Sequence, residues 1–325
     1  MPVSPGGAAL LRDRAKYFFA AHSLSMQRSR RGAEPPAMDP TALLLAGTLT
    51  APSGPGLRFI DVGQGSALLL VGAAGQAVMI DSGPSGAAEA VMHALDEHGL
   101  LRIDLWIHTH FDADHVGGFG RVLAGADGVV GSGDEIEVVA LWDRGLAGAP
   151  ATDAVAAYRA GAGERRREAR AGDRWDAPGL SLRLVRTGAP LMFAAENARG
   201  LAICVEIGEL RLLAPGDLPA AQAAEAAADC GAVDVLWAAH HGGVDGTSAT
   251  VIAAADPALV VISAGHDNPY CHPAAITLAR LSTRAVWITG LAGAGPLGAC
   301  PSLATSLAEQ HRLLAGDLWL VADEP

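Results

Sequence analysis

Residues 108–118 read HTHFDADHVGG. Three imidazoles and two carboxylates fall within eight of these residues, at the end of residues 105–109, an apolar run that predicts a buried strand. Nitrogen and oxygen donors interleaved between a strand and a helix surround one point in the way that a divalent ion requires. A solvated polar loop is the alternative interpretation, but such loops carry His or Asp singly. The stretch therefore predicts a metal site.

The segments around this stretch predict the layers that hold it. Short strand-like runs occur in both halves of the chain, at residues 57–62, 67–71, 77–80, 201–207, 210–214, 233–238 and 258–262. Helical spacing is found at residues 87–98 and at about 219–229, 247–255 and 273–282. Two strand-rich halves, each covered by helices, predict an α+β fold, an αββα sandwich of two mostly antiparallel or mixed sheets.

The chain is expected to contain one folded domain. Residues 1–55 are rich in Pro, Gly, Ala and Ser, which is typical of a poorly ordered leader, and the domain is predicted to cover residues 56–325. A variable helical insertion is predicted at about 146–177. It carries the one concentration of basic residues, which we place on a solvated face of an alanine-rich helix: Arg165, Arg166, Arg167, Arg170 and Arg174.

Composition limits the possible partners. The 325 residues carry a net charge of −12, from 23 basic and 35 acidic side chains, and such a surface repels polyanions. Tight non-specific nucleic-acid binding is therefore not expected. Half of the residues are hydrophobic, but no window approaches the roughly 18 to 20 uninterrupted apolar residues of a bilayer span. A membrane role is not expected, and the sequence gives no indication of the oligomeric state.

The cysteines and the N-terminus predict a cytoplasmic location. Four cysteines lie far apart without a CxxC pair: Cys204, Cys230, Cys271 and Cys300. This spacing predicts neither a disulfide framework nor a cysteine zinc site, so reduced thiols are expected. The N-terminal segment has no apolar run of the length that a secretory signal requires.

The spacing of the metal stretch resembles a known signature. His110, Asp112, Asp114 and His115 form an HxDxDH pattern that resembles the HxHxDH signature of the metallo-β-lactamase superfamily, with Asp112 where the second His is usual. Upstream, DVGQG at residues 61–65 is similar to the hydrolase domain of ComEC-type competence (DNA-uptake) proteins. Three later segments resemble that family in the same order: LAPGD at 213–217, AHHGG at 239–243 and NPYCHP at 268–273.

The resemblance implies a set of site residues. It implies one ion between Asp114, His115, Asp217 and His241, and a weaker second one between His110, Asp112 and Asp217. Of the His240–His241 pair, one imidazole is expected to bind metal and the other to pack or hydrogen-bond behind it, and the position before Gly242 favours His241. The remaining residues implied to act at the site are His272, as a proton donor or substrate contact, and Asp61 and Asp81, which follow strands beside the metal loop.

Each of these assignments has an alternative. His272 is otherwise a capping or core residue before a proline, and Asp61 and Asp81 are otherwise turn carboxylates. The sequence also departs from the superfamily. No histidine lies between His115 and His240, so the usual third imidazole of the first site is absent and Asn197 is the nearest polar candidate. Ser66 stands where the competence-type motif has an acidic residue.

These features predict a metal-dependent hydrolase that uses a metal-activated water and one or two divalent ions, Zn²⁺ or Mn²⁺. The superfamily acts on acyl and phosphoryl substrates, and the competence-type resemblance favours a phosphodiesterase or nuclease. Two alternatives stay open: a hydrolase of another ester, amide or lactone bond, and a non-catalytic metal-binding regulatory module. The expected partner is a phosphodiester or another small-molecule substrate.

Overall fold

Two eight-stranded sheets form the centre of the structure, a computed structural model that describes residues 15–21, 54–129, 132–186, 195–266, 268–290, 307–308, 310–314 and 316–322. In spatial order the first sheet contains β1 (Ala15–Ala21), β18 (Gly316–Ala322), β2 (Gly56–Phe59), β3 (Leu68–Val71), β4 (Ala77–Ile80), β6 (Leu105–His108), β8 (Leu141–Asp143) and β9 (Arg166–Glu168). The second contains β10 (Arg174–Ala177), β11 (Leu180–Arg186), β12 (Ala202–Ile207), β13 (Leu210–Ala214), β14 (Val235–Trp237), β15 (Leu259–Ser263), β16 (Ala285–Thr289) and β17 (His311–Leu313). A separate pair joins β5 (Arg102–Ile103) to β7 (Glu137–Val138).

Each large sheet is antiparallel in one half and parallel in the other. In the first sheet the pairs from β1 to β4 are antiparallel, and β4, β6, β8 and β9 are parallel. In the second sheet β10 to β13 are antiparallel, and β13 to β17 are parallel. The carboxyl ends of parallel strands are where α/β sheets place their ligands.

Helices cover the outer faces of both sheets. They are α1 (Ala88–Glu97), α2 (Ala113–Val116), α3 (Phe119–Leu123), α4 (Asp153–Ala162), α5 (Ala220–Cys230), α6 (Ala249–Ala255) and α7 (Ala275–Arg280). Single 3₁₀ turns occur at Ser85–Ala87, Gly163–Arg165, Asn197–Arg199 and Ala239–Gly242. Two of the helices begin at a hydroxyl cap, because the side chains of Thr152 and Ser248 accept the backbone N–H of the residue three positions later.

Three apolar clusters hold these layers together. One lies between the sheets, and the other two lie between each sheet and its helices. Strand β3 contributes to two of them: Leu68 and Leu70 enter the central cluster, whereas Leu69 and Val71 pack under the helices. Because both of its faces are buried, this strand is a continuous apolar run rather than an alternating one. The predicted αββα sandwich is therefore confirmed.

The arginine-rich segment differs from its prediction. The alanine-rich run does form α4, but that helix stops at Ala162, and Arg166 and Arg167 lie in strand β9. Arg166 donates from two nitrogens to the buried carboxylate of Asp143, at 2.5 and 2.7 Å, and Tyr158 Oη donates to the same carboxylate at 2.7 Å. A buried carboxylate needs such partners. The contact with Asp143 places Arg166 in the edge strand β9. The prediction that these arginines share one helix face is therefore wrong.

Strand β1 lies within the segment predicted to be a poorly ordered leader. It pairs antiparallel with β18 along its whole length, from Ala15 opposite Ala322 to Ala21 opposite Gly316. The structure therefore describes residues 15–21 as the edge of the first sheet. The rest of residues 1–53 lies outside the described residues, so the leader prediction is untested there.

The cysteines also differ from their prediction. Cys204 of β12 and Cys230, the last residue of α5, form a disulfide with a Cα–Cα distance of 5.8 Å, and Cys271 is disulfide-bonded as well. The expectation of reduced thiols is therefore wrong for these three residues. The bond between Cys204 and Cys230 fixes the end of α5 to the second sheet, and only the packing of helix on sheet brings the two residues together. Among the described residues, none of the helices combines the length and the hydropathy that crossing a bilayer requires.

Candidate metal centre

The candidate site lies where parallel strands of both sheets end. The metal stretch follows β6 of the first sheet, and Asp217 follows β13 of the second. His240 and His241 follow β14 in a turn where both residues have positive φ angles, 53° and 51°. Two consecutive non-glycine residues in the left-handed region are costly, and such conformations cluster at functional sites. This turn gives the two imidazoles different directions.

Donor atoms from the two sheets converge in two overlapping groups. His110, His115 and Asp217 offer atoms within 4.8 Å of one another, and so do Asp114, His115 and His241. His241 Nε2 lies 3.2 Å from Asp114 Oδ2. Asp217 contacts both groups: its Oδ1 is 3.3 Å from His115 Nε2, and its Oδ2 is 3.4 Å from His241 Nε2 and 3.9 Å from His110 Nε2. Its carboxylate thus contacts histidines of both groups.

The residues present fit a divalent cation. His110 Nε2 is buried and has no hydrogen-bond partner, although buried polar atoms are rarely left unpaired. Imidazole nitrogens and carboxylate oxygens are the donors that Zn²⁺ and Mn²⁺ take. An ion beside His110 would therefore satisfy an atom that the protein itself leaves without a partner.

The carboxylates of the cluster raise the pKa values of His115 and His241. Burial alone would lower the pKa of His115, but the carboxylates of Asp217 and Asp81 outweigh it and raise the pKa well above its usual value. Burial also lowers the pKa of His241, but interactions led by that with the Asp217 carboxylate outweigh burial and raise the pKa to about 9. For Asp217, burial favours the neutral acid, but the two imidazoles hold its pKa well below the usual value. The carboxylates therefore create a potential that attracts a cation.

Asp81 holds His115 in the orientation that a ligand needs. Its Oδ2 accepts from His115 Nδ1 and from Thr109 Oγ1, both at 2.7 Å, and its Oδ1 accepts from Thr109 N at 2.7 Å. Because a carboxylate only accepts, His115 keeps a proton on Nδ1, and Nε2 faces the cluster. Loss of the Nε2 proton to a binding ion would leave the Nε2 lone pair directed at that ion. Carboxylates behind metal-binding histidines commonly fix the tautomer in this way.

His241 is oriented in a similar way by the backbone. Its Nδ1 donates to the carbonyl oxygen of Ser263 at 3.0 Å, so Nε2 faces Asp114 and Asp217. The preference for His241 over His240 as ligand stays a prediction.

His240 was expected to pack behind its neighbour, and the structure places it elsewhere. Its Nδ1 pairs with Asp245 Oδ1 at 2.9 Å, while its Nε2 lies 3.8 Å from Asp217 Oδ2 and 3.3 Å from Asn197 Nδ2. The rings of His240 and His241 are 6.3 Å apart, because the left-handed turn separates them. His240 therefore faces the part of the cluster where the usual third imidazole is missing.

Asp112 and Asn197 lie at the rim of that same group. Asp112 Oδ2 is 3.5 Å from His110 Nε2, and its side chain is 40% exposed. Asp112, His240 and Asn197 thus lie beside the first group, which consists of His110, His115 and Asp217. The assignment of each as a ligand stays a prediction.

His272 lies on the open side of the cluster. Its ring centroid is 5.2 Å from that of His240 and 6.3 Å from that of His241. Burial is the largest cause that lowers its pKa, to about 4, and the electrostatic interaction with the neighbouring imidazoles adds to it. His272 is therefore a neutral imidazole at neutral pH. The capping role considered for His272 is not observed, because α7 begins at Ala275 after Ala274 and has no side-chain cap. Within the loop, Asn268 Oδ1 accepts from His272 N at 2.8 Å.

Asp61 was predicted to act at the site, and its contacts lie elsewhere. The Asp61 carboxylate accepts from Gly63 N at 3.1 Å, its backbone N–H donates to Asp317, and burial raises its pKa. None of its hydrogen bonds within the described residues reaches the donor cluster. His108, the first imidazole of the metal stretch and the last residue of β6, lies in the core against Trp106 and Phe119.

Sequence reasoning missed three contacts that hold the site. Asp245 orients His240, and the carbonyl of Ser263 orients His241. Glu196 Oε1 accepts from Phe111 N at 2.9 Å, inside the metal stretch, and Arg144 Nε donates to the same oxygen at 2.6 Å. The sequence offers only weak signals for them: Asp245 and Glu196 are acidic residues near His240 and Asn197, and a backbone carbonyl leaves no trace in side-chain patterns.

The fold and the donor cluster together define a metal-binding protein of the αββα hydrolase type. Residues 60–266 match the family model described as the metallo-beta-lactamase superfamily, which is more than half of the chain. The chain belongs to this superfamily.

Curated relatives agree with the competence-type resemblance. The chain is 27% identical over 228 residues to Recombination protein 2 of Haemophilus influenzae, covering 68% of this chain and 26% of that protein. It is 26% identical over 244 residues to Competence protein ComA of Neisseria gonorrhoeae, covering 73% and 31%. The predicted family is confirmed at low identity, and the chain spans between about a quarter and a third of these relatives.

Solved structures similar to the chain include two distant ones. The metallo-beta-lactamase fold protein YhfI from Bacillus subtilis has 11% identity and a TM-score of 0.46, over 82% of this chain and 99% of that one. CmlA, a diiron beta-hydroxylase from Streptomyces venezuelae, has 12% identity and a TM-score of 0.47, over 83% and 55%.

Proposed function

We propose that the chain is a metal-dependent phosphodiesterase or nuclease. The observation that carries the proposal is the position of Asp217, whose carboxylate contacts both donor groups. A pair of ions that share a ligand suits in-line displacement at phosphorus, because the attacking and the leaving oxygen both need charge stabilisation. The relatives named for competence and recombination support a nucleic-acid substrate. In this proposal, residues 56–325 form the hydrolase domain, with 146–177 as an insertion.

Asp217, Asp81 and His272 have different roles in the proposed reaction. When bound, divalent ions in such a site lower the pKa of water toward ~7 and polarise the scissile bond. Asp217 joins the two donor groups, and Asp81 keeps the Nε2 lone pair of His115 directed at them. His272 faces the cluster from the open side, and its neutral imidazole carries one N–H that donates to the leaving oxygen.

We expect metal-dependent cleavage of phosphodiesters. Protein stripped with a chelator and reloaded with a divalent ion should hydrolyse bis-p-nitrophenyl phosphate and single-stranded nucleic acid, and the stripped protein should not. Initial rates are compared with those on a β-lactam and a lactone in the same buffer. Turnover of the lactone alone would replace the proposal by the ester, amide or lactone alternative. Bound metal without turnover of any substrate would indicate the non-catalytic module.

We expect Mn²⁺ to activate better than Zn²⁺. The first group offers the oxygens of Asp112 and Asn197 where the superfamily pattern has imidazoles, and carboxylate or amide oxygen favours harder ions. Asp112→His should raise the Zn²⁺ affinity of this group by about ten-fold or more and narrow the Mn²⁺ advantage. Activity is titrated with each ion on stripped wild type and variant. A wild type that prefers Zn²⁺ throughout would contradict this account of the group.

The disulfide bears on the predicted cytoplasmic location. Structural disulfides persist in oxidising compartments and are rare in the cytosol of most organisms. The bond between Cys204 and Cys230 favours an oxidising compartment, whereas the N-terminal sequence favours the cytoplasm. The location stays a prediction that fractionation of the native cell would test.

A further inference from the structure

An exposed aromatic side chain stands beside the metal cluster. Tyr270 is 66% exposed, and its ring stacks on His272 with centroids 5.7 Å apart and planes at 30°. His272 is in turn stacked near His241, at 6.3 Å and 23°. Three roughly parallel rings therefore lead from the protein surface to His241, a predicted metal ligand. A planar group that stacks on the exposed ring of Tyr270 would lie at the surface end of this series.

Hydrogen bonds of Asn268 brace the described part of the loop that carries Tyr270. Asn268 closes it from both sides, because its Oδ1 accepts from His272 N at 2.8 Å and its Nδ2 donates to the carbonyls of His272 and Gly265 at 2.8 and 2.6 Å. Ala274 N donates to the carbonyl of Gly242 at 3.0 Å, which ties the loop to the turn of the His pair. A fixed aromatic ring loses little conformational entropy when it binds a ligand.

The described residues include six exposed large hydrophobic side chains, and three of them lie in the segments that follow β14 and β15, called the rim below: Val244, Tyr270 and Ile276. Arg280 Nη1 donates to the carbonyl of Val244 at 3.1 Å in the same region. Thr277 Oγ1 donates to the carbonyl of Gly243 at 3.0 Å, so the helix that bears Ile276 is fixed against the loop that bears Val244. With a net charge of −12, the chain has no general attraction for phosphates. Beyond the attraction of bound ions for the scissile phosphate, affinity for a nucleic acid would therefore come from contacts with its bases.

We propose that Tyr270 is a specificity-determining residue that stacks on an unpaired nucleobase next to the scissile phosphate. This inference rests on the proposed phosphodiesterase function and names its substrate class: single strands and nucleotide diesters. Aromatic side chains bind single strands by stacking because every base has a π-face. The bases of a duplex are already stacked on each other, so a duplex cannot offer a free face to Tyr270.

Two chromogenic esters with the same leaving group test the inference. Thymidine 5′-(p-nitrophenyl phosphate) carries a base, whereas methyl p-nitrophenyl phosphate does not. We expect wild type to prefer the thymidine ester, and Tyr270→Ala to raise KM for it about ten-fold while changing kcat/KM for the methyl ester less than about two-fold. Tyr270→Phe, which keeps the ring, should behave like wild type. Leu101→Ala, at an exposed apolar residue outside the rim, is the matched control and should leave both esters unchanged.

The outcomes separate the inference from the function on which it rests. If wild type cleaves neither ester, the phosphodiesterase proposal fails and the inference fails with it. If wild type cleaves both without preference, or if Tyr270→Ala leaves KM for the thymidine ester unchanged, the inference alone is overturned. An equal fall in kcat for both esters would mean that Tyr270 only supports His272, which also overturns it. Faster cleavage of a single-stranded oligonucleotide than of its abasic analogue would support it.

Discussion

Replacing Asp217 by Asn is expected to abolish hydrolysis, with a loss on the order of 10³-fold or more, and to reduce the bound metal to less than one ion per chain. The side chain is buried, and its two oxygens contact His115, His241 and His110. An amide keeps the shape of the side chain but loses the negative charge that would hold bound ions. Because the ions supply several kcal/mol of charge stabilisation in the transition state, the effect on rate should exceed that of any other single change.

Elemental analysis and initial rates on the same preparations measure this effect. Asp256→Asn is the matched control, since Asp256 is an exposed carboxylate that pairs with Arg284 at 2.7 Å. This control should keep wild-type metal content and rate. Circular dichroism shows whether the Asp217 variant retains the fold. A folded variant with two ions and a rate within ten-fold of wild type would contradict the bridging role.

The layers of the fold were predictable because they depend on runs of apolar residues. Residues 77–80 and 210–214 were predicted as strands, and β4 and β13 have these bounds. Both strands are enclosed by other layers, so both are apolar runs. Such a run can be recognised in the sequence without knowing which segments pack against it. The segment around Arg166 was mispredicted because its conformation depends on Asp143, a distant residue whose buried charge requires that arginine.

The candidate site was predictable in its residue types but not in its directions. The spacing of the metal stretch indicated which side chains supply donors, because they are consecutive in one loop. The directions of the His240 and His241 side chains depend on two left-handed backbone conformations. The identity of two adjacent histidines does not reveal their φ angles. The disulfide depends in the same way on packing, because Cys204 and Cys230 are 26 residues apart.

Asp81→Asn is expected to lower the metal affinity about 10- to 100-fold, although Asp81 contacts no position where an ion would lie. If the amide nitrogen replaces Oδ2, it faces His115 Nδ1, which must then accept and hold its proton on Nε2, the atom directed at the cluster. If the amide flips, the nitrogen faces the backbone N–H of Thr109, and a buried donor loses its acceptor. That loss costs about 1–3 kcal/mol of folding free energy. Neither orientation restores the native arrangement.

Two measurements distinguish this positioning role of Asp81 from a merely structural one. Calorimetric titration of stripped protein gives the metal affinity, and ¹⁵N NMR of the imidazoles shows which nitrogen of His115 carries the proton. We expect the variant to shift the proton to Nε2, or to keep it on Nδ1 with a lower melting temperature. Asp104→Asn is the control, because Asp104 Oδ2 also accepts a backbone N–H, from Ala77 at 3.1 Å, but at the opposite end of the same strand. That variant should bind metal like wild type. Unchanged affinity in Asp81→Asn would refute the claim that this carboxylate sets the ligand state of His115.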